Sequence, residues 1–177
     1  MRKLNTEEIP RLSAEAFKTL EKYPVCIVLD NIRSHHNVGS FFRTADAFRF
    51  ESILLCGITG TPPHRDIRKT ALGASETINW TYHEDSLDAV KSLKSKGYYL
   101  ISIEITEGST SMDAFSLPLE KPIALIFGNE VKGVSQEIID LCDLVLEIPQ
   151  EGTKHSLNVS ISGGICMWEV YKKLSGK

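Results

Sequence analysis

Long apolar runs are missing from this 177-residue sequence. No segment approaches the roughly 20 consecutive apolar residues of a bilayer span, so no membrane association is expected. A charge excess of one sign is missing too. Twenty Lys and Arg stand against 23 Asp and Glu, a formal net charge of −3. That argues against a protein that coats nucleic acid by bulk charge, while leaving room for a local basic patch. There is no C-x-x-C. Cys26, Cys56, Cys142 and Cys166 are widely scattered, and three of them sit in apolar runs that read as small buried hydrophobes. His35 and His36 are adjacent and so cannot share a helix face. No metal site is expected. The N-terminal MRKLNTEEIPRL has no apolar core of a secretory signal. A reduced, cytoplasmic protein is the expectation. Low-complexity segments and internal repeats are absent. So are the dinucleotide fingerprint G-x-G-x-x-G and the Walker sequence G-x-x-x-x-G-K-[ST], which argues against an ordinary NAD enzyme or a P-loop NTPase.

What is present is ordinary globular composition, 42% hydrophobic and 24% charged, in a length that suits one domain. We divide it into a short N-terminal helical extension (1–22) and one main domain (23–177). Residues 12–22 read as a helix with Ser13 near its start. Apolar strand-like runs follow at 25–30, 52–58, 98–105, 121–128 and 143–149, with a weaker one at 78–82. Helices are expected at 38–49, 84–97, 134–142 and 156–174, and a basic, proline-started loop with a short helix at 61–74. Strands alternate with helices, and the strands are mostly continuous apolar runs. That pattern predicts an α/β fold with a mostly parallel sheet covered by helices on both faces. Ligands of such sheets lie beyond the carboxyl ends of the strands, which directs attention to the strand-following loops.

One of those loops runs into NVGSFFRTADAF (37–48), where an arginine interrupts small, apolar and aromatic residues. With Asn37 as N-cap, Phe41, Ala45 and Phe48 share the core face. Arg43 points the opposite way, with Gly39, Ala47 and Phe50. It is either a surface arginine or a charge held at an interface or site. Two later loops carry glycine: IFGNEVKGV after one strand and IPQEGTKHSLNVS after the next. Their backbone groups could pair with a purine ring, a weak signal taken alone.

Three segments together, NVGSFFRTADAF (37–48), IALIFGNEVKGVSQEIIDLCD (123–143) and LEIPQEGTKHSLNVSISGGICMWE (146–169), resemble the SpoU/TrmH family of RNA 2′-O-ribose methyltransferases, of the SPOUT superfamily. The resemblance covers roughly residues 22–174, in the same order and spacing. A separate N-terminal RNA-binding domain, present in many relatives, is not expected within these residues. The resemblance implies a C-terminal deep trefoil knot, an exception to ordinary chain topology. It also implies a homodimer and S-adenosylmethionine as cofactor. Gly128, Ile148 and Leu157 would present backbone groups to the adenosyl part. Asn129 would serve there or as a turn residue, and Ile103 and Glu104 would line the same pocket.

Methyl transfer from a sulfonium is an in-line displacement, so positioning can supply much of the rate. A ribose 2′-hydroxyl must also lose its proton, to a base or with a cation stabilising the oxyanion. By resemblance Arg43 is the residue that activates the hydroxyl, reaching from its interface face toward the partner's cofactor. A guanidinium essentially never deprotonates, which favours charge stabilisation and phosphate positioning over base catalysis. Asn37, Glu130, Ser156 and Asn158 complete the implied catalytic set. Each has a plainer reading as a cap or a solvated loop residue. Arg33, His64, Arg65, Arg68, Lys69 and Lys154 could contact RNA phosphates, or be surface charge. The substrate expected is tRNA, favoured over rRNA because the chain is compact. The alternative is a non-catalytic RNA-binding or ribosome-assembly protein that keeps the fold. Ser162-Gly163-Gly164 inside the last helix suggests close helix approach at the dimer interface.

Overall fold

The computed structural model describes residues 1–10 and 12–176. Seven strands form one sheet: β1 (Tyr23–Asp30), β2 (Phe50–Cys56), β3 (Asn79–His83), β4 (Tyr99–Ile103), β5 (Thr110–Ser111), β6 (Ile123–Phe127) and β7 (Leu144–Glu147). Their order is β3-β2-β1-β6-β4-β7-β5, and every pair is parallel. The helices are α1 (Ala14–Thr19), α2 (His35–Ala47), α3 (Arg65–Ala71), α4 (Ser86–Ser95), α5 (Gln136–Ile139) and α6 (Val159–Ser175).

The alternation of the strands explains their unbroken apolar runs. Val25, Ile27 and Leu29 of β1 face one core with Phe41 of α2, Ile67 of α3 and Met167 of α6. Cys26 and Val28 face the other, with Ala89, Val90 and Leu93 of α4 and Ile138 of α5. A strand covered on both faces has no position where a polar residue is cheap. Phe17 of α1 joins the first core, so the N-terminal extension is docked on the sheet domain. The cysteines are free. Burial pushes the Cys26, Cys56 and Cys166 thiols up to about 12 and Cys142 up to about 11.

Strand order also brings a late segment inside an earlier one. β7 pairs with β4 on one side and β5 on the other. The connection 104–122, which carries β5, therefore runs round the outside of a strand made later.

Several expected boundaries move. α2 starts at His35, because Ser34 is its cap and accepts from the Asn37 N–H at 3.3 Å. Asn37 is therefore inside the first turn, and its side chain is free for other work. The face expected around Arg43 is also different. Gly39 is buried against α3, where an added Cβ would overlap Thr70 and the Ile67 carbonyl, and Phe50 is a buried residue of β2. α6 starts at Val159 with Asn158 as its cap, which leaves Ser156 outside the helix. α1 and α5 are shorter than predicted. β5 was not foreseen, since a two-residue strand has no periodicity to detect.

Candidate active site

The chain leaves β1 toward β2 on one side of the sheet and β6 toward β7 on the other. β1 and β6 are neighbours, so their carboxyl ends form a switch point where a crevice opens. Glu130, in the loop after β6, reaches across it. Its carboxylate accepts from the backbone N–H of Arg33 (2.9 Å) and Ser34 (3.0 Å) and from Asn37 Nδ2 (3.0 Å). Partial burial alone would push this carboxyl up. The Arg33, Ser34 and Asn37 hydrogen bonds outweigh that, with help from its own backbone N–H, and hold its pKa below the usual value.

A carboxylate can only accept, so the Asn37 amide nitrogen must face it and the Asn37 oxygen must face away. That oxygen accepts from Asn158 Nδ2 at 3.3 Å. Asn158 is oriented in turn by capping α6: its Oδ1 accepts from the Ser160 N–H (2.9 Å), the Ser160 hydroxyl (2.8 Å) and the Ile161 N–H (3.3 Å). The three residues are 93 and 121 positions apart in sequence and form one directed line of donors and acceptors. Asn37 is buried while Glu130 and Asn158 are exposed, so the line opens to solvent at both ends.

Beside this line lies a cleft of about 660 Å³, in the range of small-molecule sites. Its walls come from the carboxyl ends of β4, β6 and β7 and the start of α6. Ile103, Phe127, Ile148, Leu157 and Val159 supply apolar surface, and Glu104, Glu130, Ser156 and Asn158 supply polar groups. Among the described residues, segment 148–157 makes no hydrogen bond within the chain, and the peptide groups of Ile148, Gln150, Ser156 and Leu157 lie at the cleft, open to a ligand. Gly128 permits the tight turn at the back of the cleft. Asn129 and Gly133 exchange backbone hydrogen bonds of 3.2 and 2.8 Å, and a Cβ at Gly128 would overlap the Gly133 and Val134 backbone. Apolar walls with free backbone donors and acceptors fit an adenosyl group, which is recognised by ring burial and edge pairing. Two expected side chains are committed elsewhere. Glu104 accepts from the Ile105 N–H (3.0 Å) and the Val134 N–H (2.9 Å). Asn129 ties its own turn and the loop after β1. Ser156 is exposed at the cleft and has no partner among the described residues.

Arg43 is not in this cleft. It lies six residues beyond Asn37 on α2, about 9 Å along the axis at 1.5 Å per residue. It is exposed, and makes no hydrogen bond or ion pair among the described residues. It lines a separate hollow of about 870 Å³ with Asp46, Ala47, Leu72, Glu76 and residues of α1. A single chain thus brings together Asn37, Glu130 and Asn158 and leaves Arg43 apart. Of the basic residues, Arg33, Arg65, Arg68, Lys69 and Lys154 are all exposed. The His35 and His64 rings stack at 3.7 Å and set the start of α3 against the start of α2, which puts Arg65 near the same edge as Arg33.

Sequence reasoning missed the residues that hold this edge together. Thr59, buried, accepts from the Ile32 N–H (2.9 Å) and donates to the Leu29 carbonyl (3.0 Å). Asn31 adopts φ 57°, and its Oδ1 accepts from the Ile58 N–H at 3.1 Å. An asparagine just after a strand was the available signal, since Asn tolerates the left-handed region.

The seven-stranded, all-parallel sheet with its covering helices matches the fold of SPOUT-type methyltransferase structures. The SpoU rRNA methylase family model matches residues 24–168, and the chain belongs to that family. It is 28% identical over 177 residues to the 23S rRNA (guanosine-2′-O-)-methyltransferase RlmB of Vibrio parahaemolyticus, covering 99% of this chain and 68% of that protein. The first curated relatives are longer, and the chain spans 61% to 68% of their length. An AdoMet-bound rRNA methyltransferase from Sinorhizobium meliloti superposes with a TM-score of 0.78 at 25% identity, over 89% of this chain and 59% of that one. The TrmH/SpoU tRNA modifying enzyme of A. aeolicus gives 0.79 at 22% identity, over 90% of this chain and 80% of that one, a likeness of fold.

Proposed function

We propose that the chain is an RNA methyltransferase that uses S-adenosylmethionine to methylate a ribose 2′-hydroxyl, and that it works as a homodimer. The observation that carries this reading is the line Glu130–Asn37–Asn158 at the mouth of a cleft suited to an adenosyl group. The cofactor supplies an electrophilic methyl group when bound. Residues 148–157 would hold its base edge through their peptide groups, and Ile103 and Leu157 would cover the ring. Asn37 offers an oriented oxygen acceptor, and Asn158 an oriented nitrogen donor, to a ribose placed over the cleft. Both orientations are set before substrate arrives, so little reorganisation is left for the reaction.

Glu130 is poorly suited to be the base, because it already accepts three hydrogen bonds and its lowered pKa makes it a weak proton acceptor. The cation needed for a developing oxyanion would be Arg43 of a second copy. What supports pairing is the outer face of α6, where Ile161, Ile165 and Trp168 (57%, 37% and 46% exposed) form one stripe. Gly164 lies there with nothing within 4 Å of an added Cβ. Arg33, Arg65, Arg68, Lys69 and Lys154 would meet substrate phosphates. The name of the Vibrio relative supports rRNA and that of the A. aeolicus enzyme tRNA, and both are carried as substrates to test. Transfer of labelled methyl from S-adenosylmethionine to unmodified tRNA and rRNA pools tests the reading. Label should enter one pool as an alkali-resistant linkage and be lost in Arg43→Ala. Cofactor binding without label in either pool would favour a non-catalytic RNA-binding role.

A further inference from the structure

Asn129 is placed where the cleft loop and the start of α2 meet, and its side chain does two jobs. Its Oδ1 accepts from the Val131 N–H (2.9 Å) and the Lys132 N–H (3.1 Å), which closes its own turn. Its Nδ2 donates to the Asn31 carbonyl at 2.7 Å, across the switch point. That carbonyl is aimed at Asn129 because Asn31 sits at φ 57°. The Asn31 side chain is fixed on both sides, donating to Asp30 Oδ1 (2.7 Å) and accepting from the Ile58 N–H (3.1 Å). Behind it, a Cβ on Gly57 would overlap Asn31 Oδ1, so only glycine there leaves room for the Asn31 side chain. The residue after Asn129 is Glu130, whose contacts are Arg33 and Ser34 on the loop that Asn31 begins and Asn37 in the first turn of α2.

We propose that Asn129 is a positioning residue: its Nδ2 clasps the Asn31 carbonyl and thereby sets Glu130 against Asn37, so that it governs turnover and not cofactor affinity. The inference rests on the methyltransferase reading above for its kinetic consequence, but its structural half stands alone. The clasp is the shortest of the bonds between the loops after β1 and β6, and it is the one that does not involve Glu130 itself. Without it the Glu130 carboxylate could still find partners, but at a distance and angle no longer fixed from below. Misplacing a reacting group by about 1 Å can cost on the order of 100-fold in rate, so a loss in kcat is the expected signature.

Asn129→Asp separates the two jobs. Its carboxylate keeps the acceptor for Val131 and Lys132 and replaces the donor with an oxygen that repels the Asn31 carbonyl. Asn129→Ser does the same without added charge, since its hydroxyl can close the turn and is too short for the clasp. Both are compared with wild type by amide hydrogen exchange, cofactor binding calorimetry and kcat and KM for the RNA pool that accepts label. We expect exchange at the Arg33 and Ser34 amides to quicken about tenfold as local opening becomes easier. We also expect kcat to fall about 10- to 100-fold with cofactor affinity unchanged within about twofold. Unchanged exchange at Arg33 and Ser34 in both variants would overturn the clasp, whatever the enzyme does. A parallel fall in cofactor affinity would make Asn129 a cofactor ligand, and unchanged kcat would make it a turn residue only. If wild type transfers no methyl to any RNA, the methyltransferase reading fails, and the exchange result still decides the clasp.

Discussion

Glu130 shows how one side chain can serve by being fully occupied. Its hydrogen bonds lower its pKa, so folding favours its charged form. The stability this contributes is complete above the ordinary carboxylate value of 4.5 and is lost as pH falls through the lower folded value. Glu130→Gln keeps the shape and loses the charge. Thermal melts should separate wild type from Glu130→Gln by about 2 °C at neutral pH, and the gap should close as the medium is acidified below 4.5 and through the lower folded value. A gap that is constant with pH would mean that the charge is not what the contacts stabilise. At the same scale, Asn37 was legible as a candidate only through the family resemblance. Spacing alone made it a cap, and the structure gives that role to Ser34.

The helices are placed by glycine as much as by apolar residues. Gly39 lets α2 cross α3, and Gly163 lets α6 lie against α2, where an added Cβ would overlap the Phe41 ring. Phe41 is buried and packs on Phe127 at 4.8 Å between centroids, so it has little room to yield. Gly163→Ala should destabilise by about 1–3 kcal/mol, the usual cost of overpacking a core. A Cβ at Gly164 meets nothing within 4 Å, so Gly164→Leu should not lower monomer stability, helix propensity being in its favour, while it weakens self-association. Denaturant midpoints and sedimentation profiles check the pair. Equal midpoints for Gly163→Ala and wild type would show that the helices adjust freely. The run SGG was visible in sequence as odd for a helix. Which glycine faced inward was not, because that depends on the rotation of α6 about its axis.

At the scale of the whole molecule, the separation of Arg43 from Asn37, Glu130 and Asn158 makes a prediction about assembly. If Arg43 acts on a partner's cleft, Arg43→Ala and Glu130→Ala dimers should each be nearly inactive. Mixed and re-equilibrated in equal amounts, they should recover about one quarter of wild-type activity, since half of the dimers are mixed and each has one intact site. No recovery would place Arg43 in its own subunit's reaction. The parallel α/β class, the two covered faces of the sheet and the loops that carry the site follow from local pattern, because strand burial and helix periodicity are written into neighbouring residues. The order β3-β2-β1-β6-β4-β7-β5, the enclosure of β7 by the connection 104–122, and the meeting of Asn37, Glu130 and Asn158 are not local properties. They arise from pairings between segments tens of residues apart for β7 with β4 and β5, and 93 and 121 apart for the site, whose partners meet only when the sheet closes.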